Sequence, residues 1–302
     1  MEVLGRLLGL LVLLFAGTGL RRVGVLGPTR TKRLNDLTYY VALPALVFVS
    51  TYDRAIGDLL TPALVAGSLA VLIGTAGVAW LLHRNRVDRD RRGVAIVQSY
   101  HSNLGYLGLP LIAATFSGDV TAVASVVLGV VSLTQVPLTI AVLTGINGAG
   151  ASIGDELTEL VRSPVLLTLV LGLTVGSVGV SVPGPLTVGL DALGSLALPL
   201  ALLCVGASLQ FELPDGDLGT SAAVVALKMA WMPALAWAVF STLDVGAAAF
   251  TAAVVMLGMP TAVSTYVFAN ELGGDPEFAS LNVFLTTLAS VGTLFVLIQT
   301  VG

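Results

Sequence analysis

Gln98-Ser99-Tyr100-His101-Ser102-Asn103-Leu104-Gly105-Tyr106-Leu107-Gly108-Leu109-Pro110 is the stretch on which the reading of this chain turns. It is too polar to face lipid, yet it sits within a long apolar segment, residues 94–117. Pro110 has no N–H, and its ring disturbs the carbonyl four residues back. Gly105 and Gly108 weaken the same turn. Backbone freed at membrane depth is tolerated only inside protein or beside a watery cavity. The stretch therefore predicts a membrane helix broken at Pro110, with polar groups gathered at a site. The plainer alternative is a kinked helix whose polar groups satisfy one another.

The surrounding chain supplies the membrane. Mean hydropathy is +0.96. Hydrophobic residues make up 56% of the 302 and charged residues 11%, where a soluble domain carries about a quarter. Such a chain needs lipid as its solvent. A spanning helix takes roughly 20 apolar residues, which places spans at 3–20, 36–52, 62–82, 94–117, 120–144, 164–181, 188–210, 220–242, 246–270 and 278–299. The expected fold class is an all-α integral membrane protein with about ten transmembrane helices. Residues 4–20 follow Glu2 and precede Arg21 and Arg22. That order is the reverse of a signal peptide, so the segment reads as a retained first span.

Charge sets the expected orientation. Arg21, Arg22, Arg30, Lys32 and Arg33 follow the first span, Arg84, Arg86, Arg89, Arg91 and Arg92 the third, and Arg162 the fifth. These loops share one side, and the positive-inside rule makes it cytoplasmic. Both termini are then outside, and the cell membrane is the expected location. Asp36 reads as an interfacial residue where the second span begins.

The chain also repeats. Ala42-Leu43-Pro44-Ala45-Leu46 in the second span resembles Ala197-Leu198-Pro199-Leu200-Ala201 in the seventh. Gly108-Leu109-Pro110 resembles Gly258-Met259-Pro260 in the ninth. Two five-span halves, residues 1–145 and 164–302, joined by a short cytoplasmic loop at 146–163, must face opposite ways because five is odd. Interrupted segments in matching positions of an inverted repeat point to a carrier's binding site. The expected substrate-binding residues are Asn103, Gly105, Tyr106 and Pro110 from the fourth span, and Pro260, Thr261, Ser264 and Thr265 from the ninth. The three hydroxyls of the ninth span have an alternative use, bonding to carbonyls of their own helix.

Lys228 lies about two turns inside the eighth span. A cation at bilayer centre costs at least about 2.5–3.5 kcal/mol, so it either turns inward as a counter-charge or snorkels to the surface. It joins the substrate-binding set. With Gln98 and His101 it is also an ion-coupling candidate, for H+ or Na+. Gly5-Arg-Leu-Leu-Gly9 and Gly172-Leu-Thr-Val-Gly176 are small-residue spacings of the kind that lets helices approach. In a chain with 34 glycines they carry no functional weight.

Several chemistries are excluded. Cys204 is the single cysteine and His83 and His101 the only histidines, so neither a disulfide framework nor a metal centre is expected. No phosphate-binding G-x-x-x-x-G-K-[ST] loop is present, so ATP does not drive the chain directly. A reactive cluster for a membrane enzyme is also missing. No cofactor and no nucleic-acid partner are expected.

Several separated motifs, in order, resemble the auxin efflux carriers and their prokaryotic relatives, the malate and malonate permeases. Ser102-Asn103-Leu104-Gly105-Tyr106-Leu107-Gly108-Leu109-Pro110 is similar to the family's first crossover segment. The stretches from Leu193 to Pro199 and from Val205 to Leu209 resemble its seventh span. Lys228-Met-Ala-Trp-Met-Pro233 resembles its basic-residue-before-proline pattern, and Met259-Pro260 through Asp275 its ninth span and following loop. The resemblance implies a 5+5 inverted repeat, a scaffold with a moving transport domain, and crossed broken helices, four and nine, that bind a carboxylate. Asn103 and Pro110 match the first crossover and Pro260 the second. A homodimer is an expectation carried by the resemblance alone. Two departures stand out: Arg162-Ser163-Pro164 replaces the usual Asn-Pro helix start, and the long cytoplasmic loop of the plant carriers is missing. The leading expectation is a secondary transporter of a small organic anion in the lipid bilayer. A channel or sensor subunit is the second reading and a membrane-embedded enzyme the third.

Overall fold

The computed structural model describes residues 2–85, 88–148, 153–208 and 218–301, and every named element among them is helical. α1 (Glu2–Arg22) is followed by α2 (Pro28–Leu37), which runs through the π turn Thr38–Ala42 into α3 (Leu43–Thr51). The short α4 (Ile56–Leu59) leads to α5 (Pro62–His83) and α6 (Arg89–Gln98). After an unwound stretch come the π turn Leu104–Gly108, α7 (Leu109–Thr115) and the long α8 (Gly118–Asn147). The second half holds α9 (Ile153–Val161), α10 (Pro164–Val178), α11 (Gly184–Gly194) and α12 (Ala197–Ser208). It continues with α13 (Leu218–Ala226), the π turn Leu227–Trp231, α14 (Met232–Thr242), α15 (Ala247–Leu257), α16 (Ser264–Glu271) and α17 (Pro276–Val301).

Among the described residues, Pro62–His83, Gly118–Asn147, Gly184–Ser208, Leu218–Thr242 and Pro276–Val301 are long and apolar enough to cross a membrane. Leu104–Thr115, Pro164–Val178 and Ala247–Leu257 are shorter apolar helices. This is a multi-pass, all-helical membrane protein.

Local chemistry explains the helix ends. Thr61 and Ser163 each accept a hydrogen bond from an N–H in the first turn, Leu64 N and Leu166 N, both at 3.2 Å, and each precedes a proline. That pairs an N-cap with proline at the first helical position, where its missing N–H costs nothing. Ser163 thus performs the capping at the unusual Arg162-Ser163-Pro164 start.

The prolines correct an expectation. All three π turns end two residues before a proline: Pro44, Pro110 and Pro233. The preceding residue reaches back five positions, as Leu109 N does to Leu104 O. This wider turn accommodates the ring and the missing N–H without ending the helix. Pro110 is therefore buried inside the second half-helix, and the break lies upstream, at residues 99–103. Pro260, in contrast, lies within its break, residues 258–263 between α15 and α16. Gly108-Leu109-Pro110 and Gly258-Met259-Pro260 are not equivalent in place.

Two further expectations change. Helix α2 starts at Pro28, so Asp36 is near its end, not at its beginning. The stretch 146–163 is not simply a loop, because it contains α9.

The helices form two groups. In one, α1 packs along α12, and α3 packs on α10 and α11. In the other, α8 packs on α5, α6, α7 and α15, with α13, α14, α16 and α17 around them. The second group has the deeper core. Residues 93–98 of α6 and 251–257 of α15 are buried throughout, and apart from Gln98 and Thr251 these segments are apolar all round, as a central helix must be.

Glycine sets the spacing in the first group. A Cβ at Gly206 would collide with the Leu14 backbone, and one at Gly17 with the Leu203 backbone. Thr18 Oγ1 donates to the Gly206 carbonyl at 2.8 Å. Gly172 and Gly176 bring α10 equally close to Thr51 and Arg54, so this small-residue spacing has a packing use. Close approach of this kind replaces the hydrophobic drive that lipid removes. Gly206→Val is expected to destabilise the protein by about 1–3 kcal/mol or more, read as a lower thermal unfolding temperature in detergent. Gly9→Val, where a Cβ meets nothing, is the control and should leave it unchanged.

Candidate functional site

The two unwound segments cross and pair. Ser102 and Thr261 form an isolated antiparallel bridge. Asn103 N donates to the Pro260 carbonyl at 2.8 Å, and Ala262 N to the His101 carbonyl at 3.1 Å. The bridge uses the proline's carbonyl and never asks for its missing N–H. A pair of backbone bonds thus satisfies groups that neither helix can serve, in a buried part of the protein.

Side chains complete the pairing. The Gln135 amide from α8 matches the Ser102 peptide on both sides: its Oε1 accepts from Ser102 N and its Nε2 donates to Ser102 O, each at 3.1 Å. Thr261 N donates to Thr286 Oγ1 at 3.3 Å, and Thr261 Oγ1 donates to the Gln98 carbonyl at 2.6 Å. Gln98 Nε2 donates to Thr265 Oγ1 and to the Ala279 carbonyl, while its Oε1 accepts from Asn282 Nδ2 at 2.9 Å. His101 Nδ1 lies 2.8 Å from Thr139 Oγ1. Gln98 and Thr261 are thus parts of the frame.

A cavity of about 660 Å³ lies between the two helix groups, on one side of this crossing. Its size falls in the range of about 300–1,000 Å³ typical of small-ligand pockets. Of the expected substrate residues, Asn103, Gly105, Tyr106 and Ser264 line it. So does His101. Pro110, Pro260, Thr261 and Thr265 do not, and Lys228 stands behind the crossing. Thr265 Oγ1 bonds to the Ala262 carbonyl at 2.6 Å, the local use weighed for it.

The cavity's character comes from backbone rather than cations. Among the described residues, its only charged lining residues are Glu159 and Glu271. The π turn leading into α7 and the first turn of α16 both begin at the crossing. Helix N-termini present unpaired N–H groups and partial positive charge. Asn103 sits at the first of these, with no hydrogen bond from its side chain within the described structure. Its amide faces the cavity free to bind.

Gln135, Thr139, Asn282 and Thr286 were not singled out from sequence. A single amide in an otherwise apolar membrane span was the available signal. Tyr39 and Asn35, which line the cavity from the other helix group, carried none.

Comparison with known proteins identifies a transport family. Residues 2–156 and 155–298 match the sequence profile of the family described as membrane transport protein. An uncharacterized transporter of Methanothermobacter thermautotrophicus is 27% identical over 292 residues, covering 95% of this chain and 94% of the relative.

Gln135→Leu leaves the Ser102 N–H without its partner, while the Ser102 carbonyl keeps the N–H of Leu104. The expected cost is about 1–3 kcal/mol for the orphaned group, seen as a fall in thermal unfolding temperature in detergent. An unchanged temperature would mean that the break does not depend on this amide.

Proposed function

We propose that this chain, which belongs to the membrane transport protein family of auxin efflux carriers, is a secondary carrier that moves a small organic anion, a carboxylate, by alternating access. The observation that carries the reading is the crossing itself. Two half-helix N-termini and the free Asn103 amide meet at one cavity. Such termini favour anions, and broken helices at a repeat interface are where carriers bind substrate.

The order of elements supports ten spans in two inverted halves. In each half the fourth segment is the broken one, α6–α7 in the first and α15–α16 in the second. The helix group of α1, α3, α10, α11 and α12 serves as scaffold, and the group that holds the crossing moves. Positive-inside orientation puts the arginine-rich loops in the cytoplasm of a cell membrane and both termini outside. The cavity is bordered by Asn35, Glu159 and Glu271, which adjoin those loops, so this is the inward-open form. On the opposite side the groups are joined by an ion pair, Arg54 Nη1 to Asp119 Oδ1 at 2.6 Å. Ile56 N, beside it, donates to Ser177 Oγ at 2.9 Å.

The deciding experiment is counterflow in proteoliposomes with a panel of radiolabelled mono- and dicarboxylates. At least one should exchange saturably; if none does, the substrate class is wrong. Asn103→Ala should lower that counterflow about ten- to a hundred-fold, the cost of one hydrogen bond to a charged ligand, with thermal unfolding unchanged. Normal flux in that variant would remove Asn103 from the site.

Access is tested with Ser264→Cys in a Cys204→Ser background. A membrane-impermeant maleimide should react from the arginine-rich side. Adding Asp119→Asn should raise labelling from the other side by about 1.5- to 5-fold, since an exposed ion pair contributes about 0.2–1 kcal/mol. Equal labelling from both sides before that substitution would contradict alternating access.

A further inference from the structure

Lys228 is fully buried on the π turn Leu227–Trp231. It neither snorkels to a surface nor lines the cavity. Its Nζ donates to Ser102 Oγ at 2.6 Å, to Met232 Sδ at 3.0 Å and to the Leu257 carbonyl at 3.2 Å. Ser102 belongs to the first break. Leu257 is the last residue of α15, where the second break begins. One ammonium therefore ties together the two broken helices from behind.

Its three acceptors are all neutral, and none of the ion pairs between described residues involves it. What makes the position tolerable for a cation is the end of α15, whose terminal carbonyls carry partial negative charge. The Ser102 hydroxyl and the Leu257 carbonyl are also the oxygen types that hard cations take as ligands. The polarity of the crossing is thereby divided. The carbonyl end of α15 has its cation, while the half-helices that begin at Leu104 and Ser264 turn their N-terminal ends to the cavity.

The geometry points to a cation site at the crossing that is filled by the protein's own Lys228 ammonium, so that the paired breaks hold their shape without a dissolved alkali cation. Lys228 is then a positioning residue. It orients Ser102, whose peptide and neighbours shape the cavity floor, and does not touch the ligand. For transport, which rests on the carrier reading above, the consequence is flux that does not require Na+.

The test is thermal unfolding of the purified full chain in detergent, in choline, sodium or methylammonium chloride at equal ionic strength. Wild type should unfold at the same temperature in all three. Lys228→Ala should unfold several degrees lower in choline and recover saturably with methylammonium or Na+, which fit the space the side chain leaves. Lys228→Met, which fills that space with an uncharged chain, should not recover. Saturable stabilisation of the wild type by Na+ would overturn the proposal. So would a Lys228→Ala protein indifferent to the small cations, or one that recovers equally in choline. Should Lys228→Ala fail to fold, Ser102→Ala and the wild-type Na+ titration decide. Ser102→Ala is expected to unfold lower than wild type while remaining indifferent to Na+, and gain of Na+-dependence by wild type alone would sink the idea. Absence of counterflow for every carboxylate, with these cation effects intact, would defeat the carboxylate reading and leave the Lys228 assignment standing.

Discussion

Hydrocarbon offers no hydrogen bonds, and that constraint shapes the centre of this protein. Two helices stop inside the protein, and each would strand carbonyl and N–H groups at a cost of several kcal/mol apiece. They avoid it by stopping in the same place. The His101 and Pro260 carbonyls take the N–H groups of Ala262 and Asn103, and Gln135 serves the Ser102 peptide between them. Neither break is stable alone. Each is the other's partner, so the crossing is a single unit that the surrounding helices enclose.

That unit divides its polar ends unequally. Behind it, Lys228 and the Gln98–Asn282 amide pair engage carbonyls and hydroxyls. In front, the first turns of the second half-helices and the Asn103 amide face a cavity. A hydrogen-bonded back and a front that opens on a cavity are what a binding site on broken helices needs. The cavity lies between two helix groups held by different means. The crossing group is tied by buried hydrogen bonds, whereas the other relies on backbone contact at glycines such as Gly172 and Gly206. Interfaces of the first kind resist shear within a unit. A cavity at the boundary between such units can change shape while each unit stays intact.

Much of the architecture was legible in the residues. Composition places the chain in the membrane, and apolar length places its helices close to where they lie. The stretch around Asn103 was readable as a site because polar residues at membrane depth need a reason to be there. Lys228 was readable as either turned inward or snorkelling to the surface, and neither the choice nor its partners were legible. The proline reading went astray for a physical reason. A proline stops a helix only if the preceding turn cannot widen, and a π turn lets it widen. Pro44, Pro110 and Pro233 are all accommodated in this way, so only Pro260 marks a break.

Sequence is enough to settle solvent and element type, because hydrophobicity and segment length act locally along the chain. It also narrows the polar residues to a few buried positions. Which of these face the cavity and which hold the frame is a matter of contacts between residues distant in the chain, such as Ser102 with Gln135 and Lys228, or Gln98 with Asn282. An amide or hydroxyl carries no mark of which carbonyl it will meet. Pro110 and Pro260, each two residues after a glycine, look alike in sequence. Only the packed structure makes one an ordinary part of a helix and the other a partner in the crossing.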